Sequence, residues 1–367
     1  MTKNLLLICM LLACVMQVNA QEPKYVSTET ANRNVLIEEY TGRNCGWCPV
    51  GQKIVNNIVE KNEGRVFTVN IHPQGNVLSP TSSPNLNTVK GGELYNVFGT
   101  GGLPGAVINR TTEKTEGLSS TNDVWEPMTN EQLAQVAECN IAGHVSINPD
   151  TRLARITVEV YYTADSKVDE NYLTVIMLQD NIIGEQSGAE GNPSQMVGDK
   201  YRHMHVYRNT ITDKWGNAIS PTTAGTLITK TFKYTIPESI GDPNGVDVDL
   251  NNLHFLAFVS EKHESGGKTM PILNVCELSD KENEDEDSLE DVNAASFNVY
   301  PNPVKDEIRI SSEEMIENIA IYNINGQQLI ADCQNPTANS CAVNVSNLNP
   351  GVYFIKVNGK AQKFVKQ

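Results

Sequence analysis

The sequence predicts a multidomain protein in which an α/β region is followed by two all-β regions. Three observations carry this. Strand and helix signals alternate from residue 35 to 140, and period-two alternation of apolar and polar residues dominates much of 141 to 279. A dense acidic run at 280 to 291 then separates both from a further strand-rich stretch beginning near residue 295. A chain of 367 residues has room for two or three domains.

In the first region Val35 to Ile37 opens a strand, and Pro49 through Asn62 reads as a helix with Val50, Ile54, Val55, Ile58 and Val59 on one face. Val66 to Ile71 is a second strand. A Pro/Ser/Asn-rich loop leads to a helix from Leu86 to Phe98, and a third strand follows at Ala106 to Ile108. Asp123 to Cys139 reads as a closing helix with Asp123 near its N-cap. In the second region Ile156, Val158, Val160 and Tyr162 alternate with Thr157, Glu159 and Tyr161, as on a half-buried strand. Leu173 to Leu178 and Leu253 to Val259 are more continuously apolar and suit the buried strands of a β-sandwich. Asp280 to Asp291 holds eight acidic residues and one lysine, cannot bury a core, and reads as a solvated linker over 280–294. Residues 295 to 367 carry six basic and six acidic residues, and their short alternating strands joined by Asn/Gly/Pro turns predict a compact β-sandwich.

The net charge of −16, from 44 acidic against 28 basic residues, argues against nucleic acid as a partner. Lys3, the apolar run Leu5 to Met16 and the small-residue site Val18-Asn19-Ala20 read as a signal peptide over residues 1–20, leaving no transmembrane span after its removal. Leu11-Leu12-Ala13-Cys14 offers the alternative of a lipoprotein box with Cys14 acylated. Both routes take the chain out of the cytoplasm. Of eight cysteines, six then remain in an oxidising compartment, an even number that favours disulfides. Proximity pairs Cys45 with Cys48 and Cys333 with Cys341, and exclusion leaves Cys139 with Cys276.

The sharpest chemical signal is Cys45-Gly46-Trp47-Cys48 between a strand and a helix. Residues three apart at a helix start share a side, so the sulfurs can reach one another, and the positive end of the helix favours a thiolate on Cys45. There is no second C-x-x-C to complete a zinc site. The strand, the dithiol, its helix and Gly102-Leu103-Pro104 ahead of another strand together resemble the thioredoxin fold over about a hundred residues. The resemblance implies that Pro104 is the cis-proline beside the dithiol. It further implies that Glu39 is the buried carboxylate that moves protons, Cys45 the nucleophile and Cys48 the resolving thiol. Gly-Trp stands between the cysteines, Asn44 before them and Pro49 after. These residues tune potential and leave the direction of the redox chemistry open. An inert disulfide pinning the helix is the alternative. His203 and His205 alternate on an expected strand, Tyr201 to Tyr207, facing one side with no third ligand nearby. No metal and no cofactor is expected.

Val299-Tyr300-Pro301-Asn302-Pro303, Ile321 to Gln327, and Leu348-Asn349-Pro350-Gly351-Val352-Tyr353, in that order, closely resemble the C-terminal sorting domain of type IX secretion cargo. The resemblance implies handling by the type IX secretion machinery, then release or attachment at the outer-membrane surface. The middle region with the dithiol front resembles the twenty-eight-kilodalton outer-membrane protein family. The expected layout is a thioredoxin-like α/β domain at 21–140, a β-sandwich at 141–279 and an immunoglobulin-like β-sandwich sorting domain at 295–367. Two functions fit: a surface or secreted thiol-disulfide oxidoreductase acting on protein disulfides, or a non-catalytic binding or adhesion protein with a structural Cys45–Cys48 bond.

Overall fold

Two units divide the chain, residues 1–281 and 282–367. The computed structural model describes residues 22–99, 101–111, 122–279, 297–312, 316, 319–323, 328–330, 339–357 and 360–367. The expected signal peptide with Cys9 and Cys14, the acidic linker and Cys333 lie outside them.

The first unit begins with β1 (Val35–Tyr40), α1 (Cys48–Lys61), β2 (Val66–Ile71), α2 (Val89–Phe98), β3 (Gly105–Ile108) and α3 (Asn122–Leu133). It continues with β4 (Cys139–Asn148), β5 (Leu153–Tyr162), β6 (Asn171–Gln179), β7 (Ile182–Gly184), β8 (Met196–Val197), β9 (Lys200–His203) and β10 (Val206–Thr210). The last strands are β11 (Asn217–Ile219), β12 (Leu227–Thr235), β13 (Ser239–Ile240), β14 (Val246–Asp247), β15 (Leu253–Ser260) and β16 (Ile272–Glu277).

One long sheet runs β16-β15-β6-β10-β2-β1-β3, with β11 also on β6. β1 and β2 are parallel, joined by α1 as the crossover, and β3 returns antiparallel to β1. β10 pairs parallel to β2 through Val206 and Asn70. The long sheet therefore takes strands from both sides of the division expected at residues 140 and 141, since β10 of the β-rich region docks on β2 of the α/β region. Residues 140 and 141 themselves lie inside β4.

Alternate residues feed opposite faces of this sheet. Leu36, Tyr40, Val69, Ile71, Leu178, Tyr207, Leu256 and Phe258 share one face with Leu94 and Phe98 of α2. On the opposite side α1 and α3 cover Val35, Ile37, Val66 and Ile108. The antiparallel sheet β12-β5-β4 covers Leu173, Val175, Met177, Phe255, Ala257 and Val259. β6 and β15 are thus largely buried on both faces, which is why their sequences are more continuously apolar than the alternating strands. Ile156, Val158, Val160 and Tyr162 point into the core as expected. Glu159, expected on a solvated face, is buried, and its carboxylate accepts the backbone N–H groups of Lys24, Tyr25 and Val26.

The closing helix is shorter than expected. α3 ends at Leu133, and Cys139 opens β4 instead. The competing partner is the segment before β1: the Ala137 N–H donates to the Ala31 carbonyl (2.9 Å) and the Arg33 N–H to the Gln135 carbonyl (2.9 Å). Those bonds replace the helical ladder beyond Leu133.

The second unit has β17 (Phe297–Tyr300), β18 (Glu307–Ser312), β19 (Ile319–Asn323), β20 (Gln328–Ile330), β21 (Ser340–Asn344), β22 (Gly351–Val357) and β23 (Lys360–Lys366). They form two antiparallel sheets, β17-β18-β21 and β20-β19-β22-β23. Val299, Ile308, Ile310 and Val343 from one sheet and Ile321, Ile355, Val357 and Phe364 from the other share a single core. This is the β-sandwich that the alternating pattern predicts.

Candidate functional site

β1 ends at Tyr40, and the turn after it leads to the dithiol. The Thr41 N–H donates to the Ile71 carbonyl (2.9 Å), the Asn44 N–H to the Leu78 carbonyl (2.9 Å) and the Cys45 N–H to the Gly42 carbonyl (3.0 Å). Cys45 and Cys48 are joined by a disulfide with Cα atoms 5.4 Å apart. α1 starts at Cys48 with Pro49 in its first turn, where the missing N–H costs no helical bond. Its first turn has no acidic residue and no side-chain cap, so the positive end of the helix is left to the sulfurs. Trp47 between the cysteines is 70% exposed, yet Cys45 is only 3% exposed and Cys48 is fully buried.

Glu39 and Pro104 meet behind this turn. The Leu103–Pro104 peptide is cis. Gly51, three residues into α1 from Cys48, lies so close to both that a Cβ there would stand 2.9 Å from Pro104 Cγ and 3.1 Å from Glu39 Oε1. The helix can approach the strand and the proline only because residue 51 has no side chain. Glu39 is fully buried, neither carboxylate oxygen has a hydrogen-bond partner, and burial pushes its pKa well above the usual carboxylate range. Deeper in α1, Gln52 Nε2 donates to Thr41 Oγ1 (3.1 Å), and the Tyr201 hydroxyl donates to Gln52 Oε1 (2.6 Å).

The neighbouring Glu38 points to the other face of the sheet. There Arg110 donates to both of its oxygens, each at 2.6 Å, and stacks over the rings of Phe98 and Phe258. Burial disfavours charge on Arg110, but the attraction and hydrogen bonds of Glu38 outweigh it and raise its pKa.

His203 and His205 do not face one side as expected. β9 ends at His203, and His205 takes a left-handed conformation (φ 51°) that turns the chain between β9 and β10. His203 is buried against His72 and Tyr201, with ring centroids 5.8 and 5.2 Å away, and burial together with the charge of Arg43 lowers its pKa to about 3. His205 lies beside Asp180 (3.3 Å), which also contacts His254 (3.1 Å). Hydrogen bonds to Asp180 and Glu277 raise the His254 pKa to about 10. Among the described residues no three His, Cys, Asp or Glu side chains cluster as metal ligands.

The expected Cys139–Cys276 bond is absent: both are buried free thiols, pushed up to about 12 by burial. Both lie in the core shared by β4, β5, β6, β15 and β16, and Asn274 Nδ2 of β16 donates to the Cys139 carbonyl (2.8 Å). Cys341 is disulfide-bonded, and its expected partner Cys333 lies outside the described residues.

Sequence reading missed Gln186. It is buried against the dithiol turn, with Nε2 donating to the carbonyls of Gly42 (3.1 Å) and Cys45 (3.0 Å). Its surroundings, Ser187-Gly188-Ala189-Glu190-Gly191, carry only a turn signal, and nothing local marks residue 186 as the partner of a motif about 140 residues earlier.

Comparison with known proteins gives two family matches: Outer membrane protein Omp28 over residues 92–283, and Secretion system C-terminal sorting domain over residues 298–367. Among solved structures, HBP35 of Porphyromonas gingivalis is similar in fold, with a TM-score of 0.54 and 21% identity, covering 92% of this chain and 98% of that one. A protein from Agrobacterium tumefaciens aligns with a TM-score of 0.42 and 14% identity, over 73% of this chain and all of that one (100%). A domain of the outer membrane lipoprotein Omp28 from Porphyromonas gingivalis aligns with a TM-score of 0.25 and 16% identity, over 40% of this chain and 89% of that one. No curated protein matches the chain.

Proposed function

The chain belongs to the Omp28 outer membrane protein family and carries a sorting unit for secretion to the outer-membrane surface, and from that premise we propose that it is a surface or secreted thiol-disulfide oxidoreductase acting on protein disulfides. The observation that carries this is the Cys45–Cys48 disulfide at the uncapped start of α1, with Glu39 and Pro104 packed against the same turn of helix. The parallel β1–α1–β2 crossover with antiparallel β3 supports reading residues 35–108 as thioredoxin-like.

In the reduced protein the Cys45 thiolate attacks a substrate disulfide, forming a mixed disulfide and releasing one substrate thiolate. Cys48, losing its proton to the ionised form of Glu39, then attacks the Cys45 sulfur. The second substrate thiolate leaves, and the Cys45–Cys48 bond is restored, so the substrate gains the two electrons the dithiol loses. With a dithiol substrate the same steps run backwards. Glu39 suits the proton transfer because burial raises its pKa well above the usual carboxylate range, which makes its ionised form a stronger base than an ordinary carboxylate.

The near-complete burial of both sulfurs favours a second reading, a structural disulfide on a binding scaffold. Trapping separates the two. Cys48→Ala is expected to accumulate mixed disulfides through Cys45, visible as reductant-sensitive adducts on the surface of intact cells, and Cys45→Ala to accumulate none. If neither variant captures a partner, the structural reading replaces the catalytic one.

A further inference from the structure

Both cysteines of the disulfide are buried, and the turn that carries them is bonded to a segment from another part of the sheet. Asn44, Gly46 and Trp47 are exposed around it, while the two sulfur-bearing residues are not. What lies across the turn is the connection between β7 and β8. Gln186 Nε2 donates to the Gly42 and Cys45 carbonyls (3.1 and 3.0 Å), and the Ser187 N–H donates to the Arg43 carbonyl (2.8 Å). Gly188 adopts φ +68° and presses on Gly46 so closely that a Cβ would stand 2.0 Å from the Gly46 carbonyl oxygen. Gly191 packs the same way on α1, where a Cβ would stand 2.8 Å from Val50 Cγ2. Asn192 ties the far end down through Gln195 Oε1 (2.5 Å) and the Tyr201 hydroxyl (3.3 Å).

The middle of this segment has no large apolar anchor. Ser187 and Glu190 are exposed, and Gly188, Ala189 and Gly191 are half-buried. Its hold on Gly42 to Cys45 consists of hydrogen bonds to backbone carbonyls, contacts that any extended polypeptide with free N–H groups can reproduce. A small thiol cannot.

We propose that residues 186–192 are a specificity strap: they exclude small thiols from Cys45–Cys48 and yield to an extended polypeptide that takes over the hydrogen bonds to Gly42, Arg43 and Cys45. The consequence for exchange rests on the oxidoreductase reading; the occlusion does not.

The test uses the oxidised full-length protein and two reductants, dithiothreitol and reduced, unfolded ribonuclease A, with reduction of Cys45–Cys48 followed by alkylation and peptide mass. For the native protein the ribonuclease thiols are expected to react at least tenfold faster, per thiolate, than dithiothreitol. Gln186→Ala removes two of the strap's bonds, and Gly188→Ala places a methyl against the Gly46 carbonyl. Each is expected to raise the dithiothreitol rate at least tenfold and to bring the ratio of the two rates toward one. Glu190→Gln, on the exposed edge, should change neither. Dithiothreitol rates within twofold of the native value in both strap variants, or a rate ratio that stays the same, would overturn the strap. Gln186→Ala keeps the test alive should Gly188→Ala fail to fold. Faster reduction in the strap variants combined with no partner captured by Cys48→Ala would leave the strap standing and remove the oxidoreductase reading. Unchanged reduction with capture would do the reverse.

Discussion

Glu38 and Glu39 are consecutive on β1, and both are buried, yet they occupy opposite faces of the sheet and opposite chemical situations. Glu38 is clamped by Arg110 at two 2.6 Å contacts between two aromatic rings. Glu39 has no partner at either oxygen and lies against Gly51 and Pro104 beneath the dithiol helix. A paired carboxylate has its charge compensated and holds the structure in place. An unpaired one is held protonated by desolvation and retains a proton to exchange. The difference leaves one face with a compensated ion pair and the other with a carboxyl that burial keeps neutral.

The largest effect is expected where the pairing is broken. Arg110→Met leaves Glu38 buried without compensation and should cost about 3–5 kcal/mol, measured by urea unfolding of the full chain. The double variant Glu38→Leu/Arg110→Met should recover most of that loss, since a pair replaced by apolar groups is often nearly neutral. A loss below about 1 kcal/mol in the single variant would mean that Glu38 is hydrated and the two faces are alike.

A smaller effect is expected on the other face. Gly51→Ala drives a methyl toward Pro104 Cγ and Glu39 Oε1, at 2.9 and 3.1 Å. Overpacking of this kind costs about 1–3 kcal/mol. Because the methyl also separates α1 from Pro104, dithiol reactivity should fall along with stability. A fully stable variant would show slack between the helix and the strand.

The third change is one of pH profile and is smallest near pH 5. Glu39 binds its proton more tightly folded than unfolded, where its pKa is about 4.3. The folded state therefore holds more protons above that value, and stability falls as pH rises toward the folded pKa. Glu39→Gln removes this dependence, so the variant should match the native protein in acid and become the more stable of the two as pH increases. A variant whose stability stays parallel to the native protein's across pH 5 to 9 would show that Glu39 ionises normally.

Much of the frame was legible locally. Val35 to Tyr40 and Val66 to Ile71 are strands as their apolar character indicates, and Cys48–Lys61 is a helix with Val55 and Ile58 on its buried face. The second unit follows its alternating pattern into two sheets around one core. Readings failed where a distant segment competed for the backbone or the side chain. The helix end at Leu133 was decided by Ala31 and Arg33, and Cys139 and Cys276, paired by exclusion, share a core as free thiols. His205 was turned away from His203 by a left-handed residue between two strands.

The sequence alone determined the placement of a dithiol between a strand and a helix, and through its resemblances the glutamate and proline expected beside it and the surface-directed module read at residues 295–367. Periodicity, spacing and turn chemistry act over a few residues and are written into the chain. Only the tertiary structure decided that β10 joins the long sheet beside β2, that Glu38 finds Arg110 while Glu39 finds no partner, and that Gln186 crosses over Cys45. Those outcomes depend on which backbone groups meet after folding, and hydrogen bonds between residues 141 positions apart leave no periodic trace.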